Sequence, residues 1–302
     1  MPCYNEVVAI PLVVAGFRAA LPDATIYVFD NNSCDGTAAA ARAAGAVVRH
    51  ETLQGKGHVI RRAFADIEAD IYVLVDGDGT YDPATAPAML RLLVEQRLDM
   101  VTGTRVADGA GAYRPGHRLG NRLLTGLVQA VFGDRVSDML SGYRVFSRRF
   151  VKSFPALAAG FETETEFTVH ALELHMPVGE LPTPYRQRPQ GSASKLRTLH
   201  DGMRILRSII VLVKDERPLP FFSVVGGALL LAGIGSGIPV VLEFLHTGLV
   251  PRLPTAVLAT GLVMLSFLAF VCGLILDSVA RGRKEMKRLA YLRTPALEAG
   301  DG

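Results

Sequence analysis

Two carboxylates flank a glycine at Asp76-Gly77-Asp78, immediately after the apolar run from Ile71 to Val75. Hard oxygen ligands on such a turn suit Mg2+ or Mn2+ bridging a diphosphate, where the ion neutralises the charge that grows on a departing phosphate. Aspartates after strands also form ordinary turns, so the pattern by itself leaves a purely structural turn open. Three other segments bring complementary chemistry. Pro2-Cys3-Tyr4-Asn5-Glu6 and Asp30-Asn31-Asn32-Ser33-Cys34-Asp35-Gly36-Thr37 carry side chains able to hold a base and a ribose. Gly55-Lys56-Gly57 sets an ammonium between glycines at a helix start, where charge and backbone donors meet a phosphate together.

The elements that must position these residues alternate. Thr25 to Asp30 and Ile71 to Val75 are β-branched and aromatic runs ending in polar residues, and they read as buried strands. Between them lie an alanine-rich helix over residues 37–44, a short strand over 46–49 and an amphipathic helix over 56–67. That alternation predicts a parallel α/β sheet, with its chemistry in the loops beyond the carboxyl ends of the strands, where Asp30 and Asp76 fall. Glu162, Glu164 and Glu166 alternate ahead of a further helix, and the spacing of Thr163 to Glu166 predicts a capping box there.

Composition divides the chain. Apolar residues make up 49% of its 302 residues, and the excess lies after Pro218. Residues 218–242 and 253–276 hold no charge, and each run has about the 20 residues needed to cross a bilayer core. Glycines in the first run permit close helix packing, within the pair of spans or in a homo-oligomer. Residues 196–213 place apolar side chains at helical spacing opposite Arg197, Arg204, Arg207 and Lys214, an amphipathic pattern that suits a membrane interface or the catalytic core. The basic cluster Arg281, Arg283, Lys284, Lys287 and Arg288 beyond the second run predicts that both chain ends face the cytoplasm. The expected organisation is a catalytic domain over 1–195, an interfacial helix over 196–217, a transmembrane hairpin over 218–280 and a basic cytoplasmic tail over 281–302, disordered after Thr294.

Other classes are excluded. A net charge of +3 without a dense basic run argues against nucleic acid. Cys3, Cys34 and Cys272 lack metal or disulfide spacing, as do the histidines, and a reducing compartment fits. No charged segment followed by an apolar core opens the chain, so no cleavable signal peptide is expected.

Taken together, the segments resemble the family 2 glycosyltransferases of the GT-A fold, a Rossmann-like, mixed and mainly parallel sheet. Within that family the chain resembles the polyprenyl-phosphate glycosyltransferases of the dolichyl-phosphate mannose synthase-like branch over roughly residues 1–280. Thr102-Gly103-Thr104-Arg105, Ser137-Asp138-Met139-Leu140-Ser141-Gly142-Tyr143-Arg144 and the segment from Tyr185 to Leu196 also look like signatures of that branch. The resemblance implies that Pro2, Tyr4, Glu6, Asp30, Asn32 and Lys56 contact the nucleotide, and Asp76 and Asp78 the nucleotide and the metal. It implies phosphate contacts, of donor or lipid acceptor, for Arg105, Arg144, Arg188, Ser194 and Lys195, and a carboxylate at the acceptor in Asp138. The partners it implies are a UDP- or GDP-linked sugar and undecaprenyl phosphate at the cytoplasmic membrane. Another lipid or saccharide acceptor, or a nucleotide-sugar-binding protein without catalysis, would use many of the same residues. The chain departs from the branch at Thr80, where relatives often carry a metal-contacting glutamine, and in having only Met1 ahead of the Pro2 segment, where the branch has its first strand.

Overall fold

The computed structural model describes residues 1–107, 126, 129, 133, 136–160, 162–189 and 198–297. They form two compact units, one of Met1–Ser208 with Met286–Gly302 and one of Ile209–Glu285.

In the first unit the chain runs β1 (Pro2–Cys3), α1 (Ile10–Ala20), β2 (Tyr27–Asp30), α2 (Thr37–Ala43), β3 (Val47–His50), α3 (Lys56–Asp66), β4 (Ile71–Leu74), α4 (Ala86–Glu95) and β5 (Met100–Ala107). It continues as β6 (Arg144–Ser147), α5 (Arg148–Ser153), α6 (Thr163–Glu173), β7 (Val178–Tyr185) and the start of α7 (Thr198–Glu216). The predicted alternation is present. β1, β2 and β3 pair in parallel, with Cys3 opposite Asp30 and Asp30 opposite His50. β1 consists of Pro2 and Cys3 alone, and its pairing is extended by the Met1 ammonium donating to the Tyr27 carbonyl at 2.8 Å. β4, β6, β5 and β7 form a second, mixed set in which β6 is antiparallel to both neighbours and β5 runs parallel to β7 over eight residues.

Core packing explains the order of these strands. α1 presents Ile10, Val13, Val14 and Phe17 along one stripe, at the spacing that buries one helix face. Val13 and Phe17 share a core with Met89 and Leu93 of α4, Val101 and Val145 of the strands, and Val75 and Tyr143 beside β4 and β6, while Ile10 and Val14 pack with Cys3, Val28 and Ala41. Phe64, Phe146, Phe150, Phe154 and Phe167 form a separate aromatic cluster. α6 is buried along its whole length.

One expectation is corrected here. The capping box is not formed: Thr163 Oγ1 donates to the Gly160 carbonyl, and the Glu166 carboxylate instead accepts from Leu157 N at 2.9 Å and Ala158 N at 3.0 Å, tying down the preceding loop. Residues 286–297 are tied to the first unit. Lys287 meets the buried Glu173 at 2.9 Å, Tyr291 donates to Asp99 at 2.9 Å beneath Arg149, and Leu297 packs against the α1–α4 core.

The second unit holds the remainder of α7, α8 (Pro218–Thr247) and most of α9 (Leu253–Arg293). α8 and α9 are long and apolar enough to cross a membrane. They pack where Gly226 and Gly233 let Ser266, Phe270, Ala259 and Val263 approach, and where Gly273 faces Phe222. Leu231, Val224 and Leu274 are among the many apolar side chains of these helices that remain exposed.

His170 of α6 is buried against Phe150 and Phe154, with Nε2 3.1 Å from Ser153 Oγ. Burial, assisted by the Lys287 ammonium, lowers its pKa to about 3. The unfolded imidazole titrates near 6.5, so below that pH the unfolded chain binds the extra proton and stability falls. Between pH 6.5 and 5 this should cost the wild type about 1.5 kcal/mol. Thermal unfolding of the purified chain and of His170→Asn checks this, since the variant should lack that part of the acid slope.

Candidate active site

The site collects where the chain leaves β1, β2 and β4. Gly77 lies against Cys3 and Ile10, and a Cβ there would collide with the Cys3 thiol, so only glycine lets the turn after β4 sit beside β1. Asp76 Oδ1 is 2.5 Å from Lys56 Nζ. The same ammonium also pairs with Glu164 at the start of α6. Burial opposes the charge on Lys56, but the Asp76 and Glu164 carboxylates outweigh it and raise its pKa above the ordinary lysine value. Glu164 itself is shifted upward by burial, with Lys56 opposing.

Asp78 is buried, and its two oxygens have separate tasks. Oδ1 accepts from Thr80 N at 3.1 Å and Thr80 Oγ1 at 2.7 Å, while Oδ2 lies 2.6 Å from Arg188. Burial and the like charge of Asp76 push its pKa up, and Arg188 pulls against them. Thr80, which departs from the branch pattern, therefore orients the second carboxylate. Arg188 reaches the turn because Arg186 N donates to the Thr80 carbonyl at 2.8 Å and Tyr185 bridges to Tyr81. Its other branch is 3.1 Å from Glu6 Oε1.

The predicted nucleotide segments are laced together by their own polar groups. Asn5 N donates to Ser33 Oγ and Cys34 N to Asn5 Oδ1, both at 2.9 Å. Glu6 N donates to Thr37 Oγ1 at 2.8 Å. Asn31 reaches the carbonyls of Glu51 and Leu53 and accepts from Gly55 N at 2.7 Å, which fixes the loop carrying Lys56. Asn32, with φ at 65°, donates to Thr52 O and Gln54 Oε1 and stays on the exposed side. Pro2 lies in β1 and Tyr4 is exposed just beyond it. Asp30 is buried, with Oδ2 3.2 Å from His50 Nδ1 and Oδ1 without a hydrogen-bond partner among the described residues.

Three predicted residues are engaged elsewhere in this structure. Arg144, expected at a phosphate, is wholly buried: Nε donates to Ser141 O at 3.1 Å, Nη1 to Thr168 Oγ1 at 3.0 Å and Nη2 to Met139 O at 2.6 Å. Burial lowers its pKa to about 10. It braces the 139–143 loop from behind. Asp138, expected as a carboxylate at the acceptor, is gripped through both oxygens by Arg105, at 2.8 Å from Nε and 2.6 Å from Nη2, and also accepts Arg105 N at 3.1 Å. A bidentate pair of this kind occupies both charges, so neither is presented as a base or as a phosphate ligand while the pair stands. Ser194 and Lys195 lie outside the described residues.

Among the described residues no three or more acidic, histidine or cysteine side chains cluster as a self-sufficient metal site. The donor set nevertheless fits Mg2+ or Mn2+ that draws its other ligands from a diphosphate and water, since both turn ligands are hard carboxylates. Gly142 supports this: a Cβ at that position would fall on Asp76 Oδ2 and crowd Lys56 Nζ, so glycine keeps that carboxylate oxygen clear. Tyr81 fixes the glycine by accepting its N–H at 2.8 Å. Glu164, His50 and Asn31 are site residues to which the sequence assigned no individual role. The acidic alternation through 162–166 was the one visible signal for Glu164.

A mixed α/β sheet of this topology, with paired carboxylates on the turn after β4 and cations converging on them, defines a glycosyltransferase of GT-A-like fold. The chain belongs to glycosyl transferase family 2, whose model matches residues 1–154. Glycosyltransferase AglJ of Haloferax volcanii is 33% identical over 294 residues, 96% of each chain. A dolichyl-phosphate hexose transferase of the same organism is 28% identical over 72% of this chain and 93% of that protein. Glucosyl-3-phosphoglycerate synthase from Mycobacterium tuberculosis, solved with Mn2+, UDP-glucose and phosphoglyceric acid, shares the fold with a TM-score of 0.56 at 22% identity, covering 70% of this chain and 76% of that one.

Gly142→Ala should push its methyl into the Asp76 carboxylate. Displacing one catalytic group by about 1 Å costs roughly 100-fold in rate. The expected result is a fall of that order in kcat/KM with a melting midpoint close to wild type. Unchanged kinetics would show that Asp76 is not held where the reaction needs it.

Proposed function

We propose that the protein transfers one sugar from a UDP- or GDP-linked donor to a polyprenyl phosphate, undecaprenyl phosphate in the leading case, at the cytoplasmic face of a membrane. The observation that carries this reading is Arg188, whose guanidinium joins Asp78 of the paired-carboxylate turn to Glu6 of the nucleotide segment. Arg188 and Lys56 are two cations at one turn, a setting for a diphosphate. The acceptor class is supported by the relative named a dolichyl-phosphate hexose transferase. Placement at a membrane is supported by α8 and α9, and the cytoplasmic orientation by the basic residues from Arg281 to Arg288.

In this reading the unpartnered Asp30 Oδ1 accepts an N–H of the base, and Pro2, Tyr4 and Asn32 border the nucleotide. Lys56 and Arg188 hold diphosphate oxygens, and Asp76 and Asp78 hold Mg2+ or Mn2+. Bound there, the ion supplies charge neutralisation for the leaving group. A phosphate oxygen of the acceptor forms the new bond to the anomeric carbon while the carbon–oxygen bond to the diphosphate breaks, inverting that carbon and releasing the nucleoside diphosphate. The phosphate is already anionic at neutral pH, so no side chain has to take a proton. Asp138 then serves by locking Arg105 beside Tyr185.

Purified full-length chain, supplied with Mg2+ or Mn2+, undecaprenyl phosphate and a panel of labelled UDP- and GDP-sugars, should form a lipid carrying one sugar and release the diphosphate. No labelled lipid with any donor would overturn the acceptor assignment, and donor hydrolysis alone would point to another acceptor. Asp78→Ala should lower turnover about 1,000-fold, the loss expected when several kcal/mol of charge stabilisation disappears.

A further inference from the structure

The two cations at the turn are bridged in the same way, and this symmetry has a consequence for how the site is filled. Lys56 lies between Asp76 and Glu164; Arg188 lies between Asp78 and Glu6. In each triad one carboxylate belongs to the turn and the other comes from a different segment, Glu164 from α6 and Glu6 from the loop after β1. Lys56, Glu164, Asp78 and Glu6 are each less than a tenth exposed at the side chain. Arg188 is the more open cation, with its side chain 23% exposed.

We propose that the site works by cation exchange: Lys56 and Arg188 guard the metal carboxylates, so that a divalent ion and a nucleoside diphosphate bind strongly only together, and Glu164 and Glu6 retain the two cations as they pass from carboxylate to phosphate. The proposal rests on the donor and metal reading above. An ion entering alone competes with two largely buried ion pairs, and each cation it displaces is left with one carboxylate where it had two. Separating a buried pair without a replacement partner is costly. An ion entering with a diphosphate brings that replacement, because oxygens not bound to the ion accept Lys56 and Arg188 as charge-assisted hydrogen bonds. Glu164 and Glu6 keep each cation anchored on one side throughout, so the exchange requires a shift of side-chain contacts and no movement of the strands. By linkage, the nucleotide tightens the ion by the same factor as the ion tightens the nucleotide.

Mn2+ binding to the purified full-length chain in detergent, read by electron paramagnetic resonance of the free ion and corrected for chelation by nucleotide alone, tests this. Saturating UDP or GDP should tighten Mn2+ by about tenfold or more, within the usual range of coupling between sites. Arg188→Met should bind Mn2+ without nucleotide several-fold more tightly than wild type, and its coupling to nucleotide should shrink. Arg186→Met is the control: it removes an equal charge from the neighbouring pair with Asp82 and should leave Mn2+ affinity unchanged. Arg188→Gln and the melting midpoints of all variants guard against a folding artefact at one substitution.

If nucleotide binds by calorimetry but Mn2+ affinity is the same with and without it, the exchange is refuted while the donor reading survives. If Arg188→Met binds Mn2+ no more tightly than wild type, or Arg186→Met tightens it equally, the guarding role is refuted. If neither nucleotide binds with any ion, the donor reading falls and takes the exchange with it.

Discussion

Balancing four carboxylates against two cations at the end of a sheet is the constraint on which the rest of the catalytic unit depends. Asp76, Asp78, Glu6 and Glu164 converge on Lys56 and Arg188, and all but Asp76 and Arg188 are buried. Asp76 and Asp78 share the turn after β4, and the other four groups are delivered by separate elements. The parallel set β1–β3 brings Glu6 beyond its edge, α3 brings Lys56 at its first turn, α6 brings Glu164, and the segment after β7 brings Arg188. A displacement of any of these elements would strand a buried charge, a larger penalty than the loss of one surface pair.

Close backbone approach is the second requirement, and small residues supply it. Gly77 allows the turn to lie against Cys3, and Gly142 leaves the Asp76 carboxylate room between the 139–143 loop and Lys56. Arg144 then acquires a structural meaning. Its guanidinium gathers the carbonyls of Met139 and Ser141, which would otherwise be hard to satisfy in a buried loop, and so holds Gly142 at its distance from Asp76. A cation expected at a phosphate turns out to act one layer behind, through the loop.

The sequence made the outline of the fold legible and the roles of single charges much less so. Strands β2, β3 and β4 and helices α2 and α3 followed from local period and composition. The apolar lengths of α8 and α9 were equally plain, since nothing in a local pattern competes with a charge-free run of that length. The paired carboxylates could be located because glycine, aspartate and strand end coincide. Partnerships at long separation were not legible: Glu164 with Lys56, Asp138 with Arg105 and His50 with Asp30 each join residues that only the tertiary fold brings together. Burial was misjudged for the same reason. Arg144 stands in a polar-looking segment, yet neighbours from β5 and α6 enclose it. The capping box failed because Glu166 found two amide donors in the loop before α6, a local competition that spacing does not reveal.

The engagement of Asp138 bears on the chemistry as well. An enzyme that must deprotonate a hydroxyl acceptor needs a carboxylate or imidazole free to take the proton, close to the anomeric carbon. Around the turn, Asp76, Asp78, Glu6, Glu164 and Asp138 each face a lysine or arginine, so that taking a proton would break an ion pair. Such a site suits an acceptor that arrives already charged, once a bound divalent ion offsets the carboxylates and leaves Lys56 and Arg188 to phosphate oxygens. On the proposed reaction these two demands coincide: the same excess of fixed, hydrogen-bonded charge that would handicap proton transfer holds a phosphate nucleophile and a diphosphate leaving group near one another despite their repulsion.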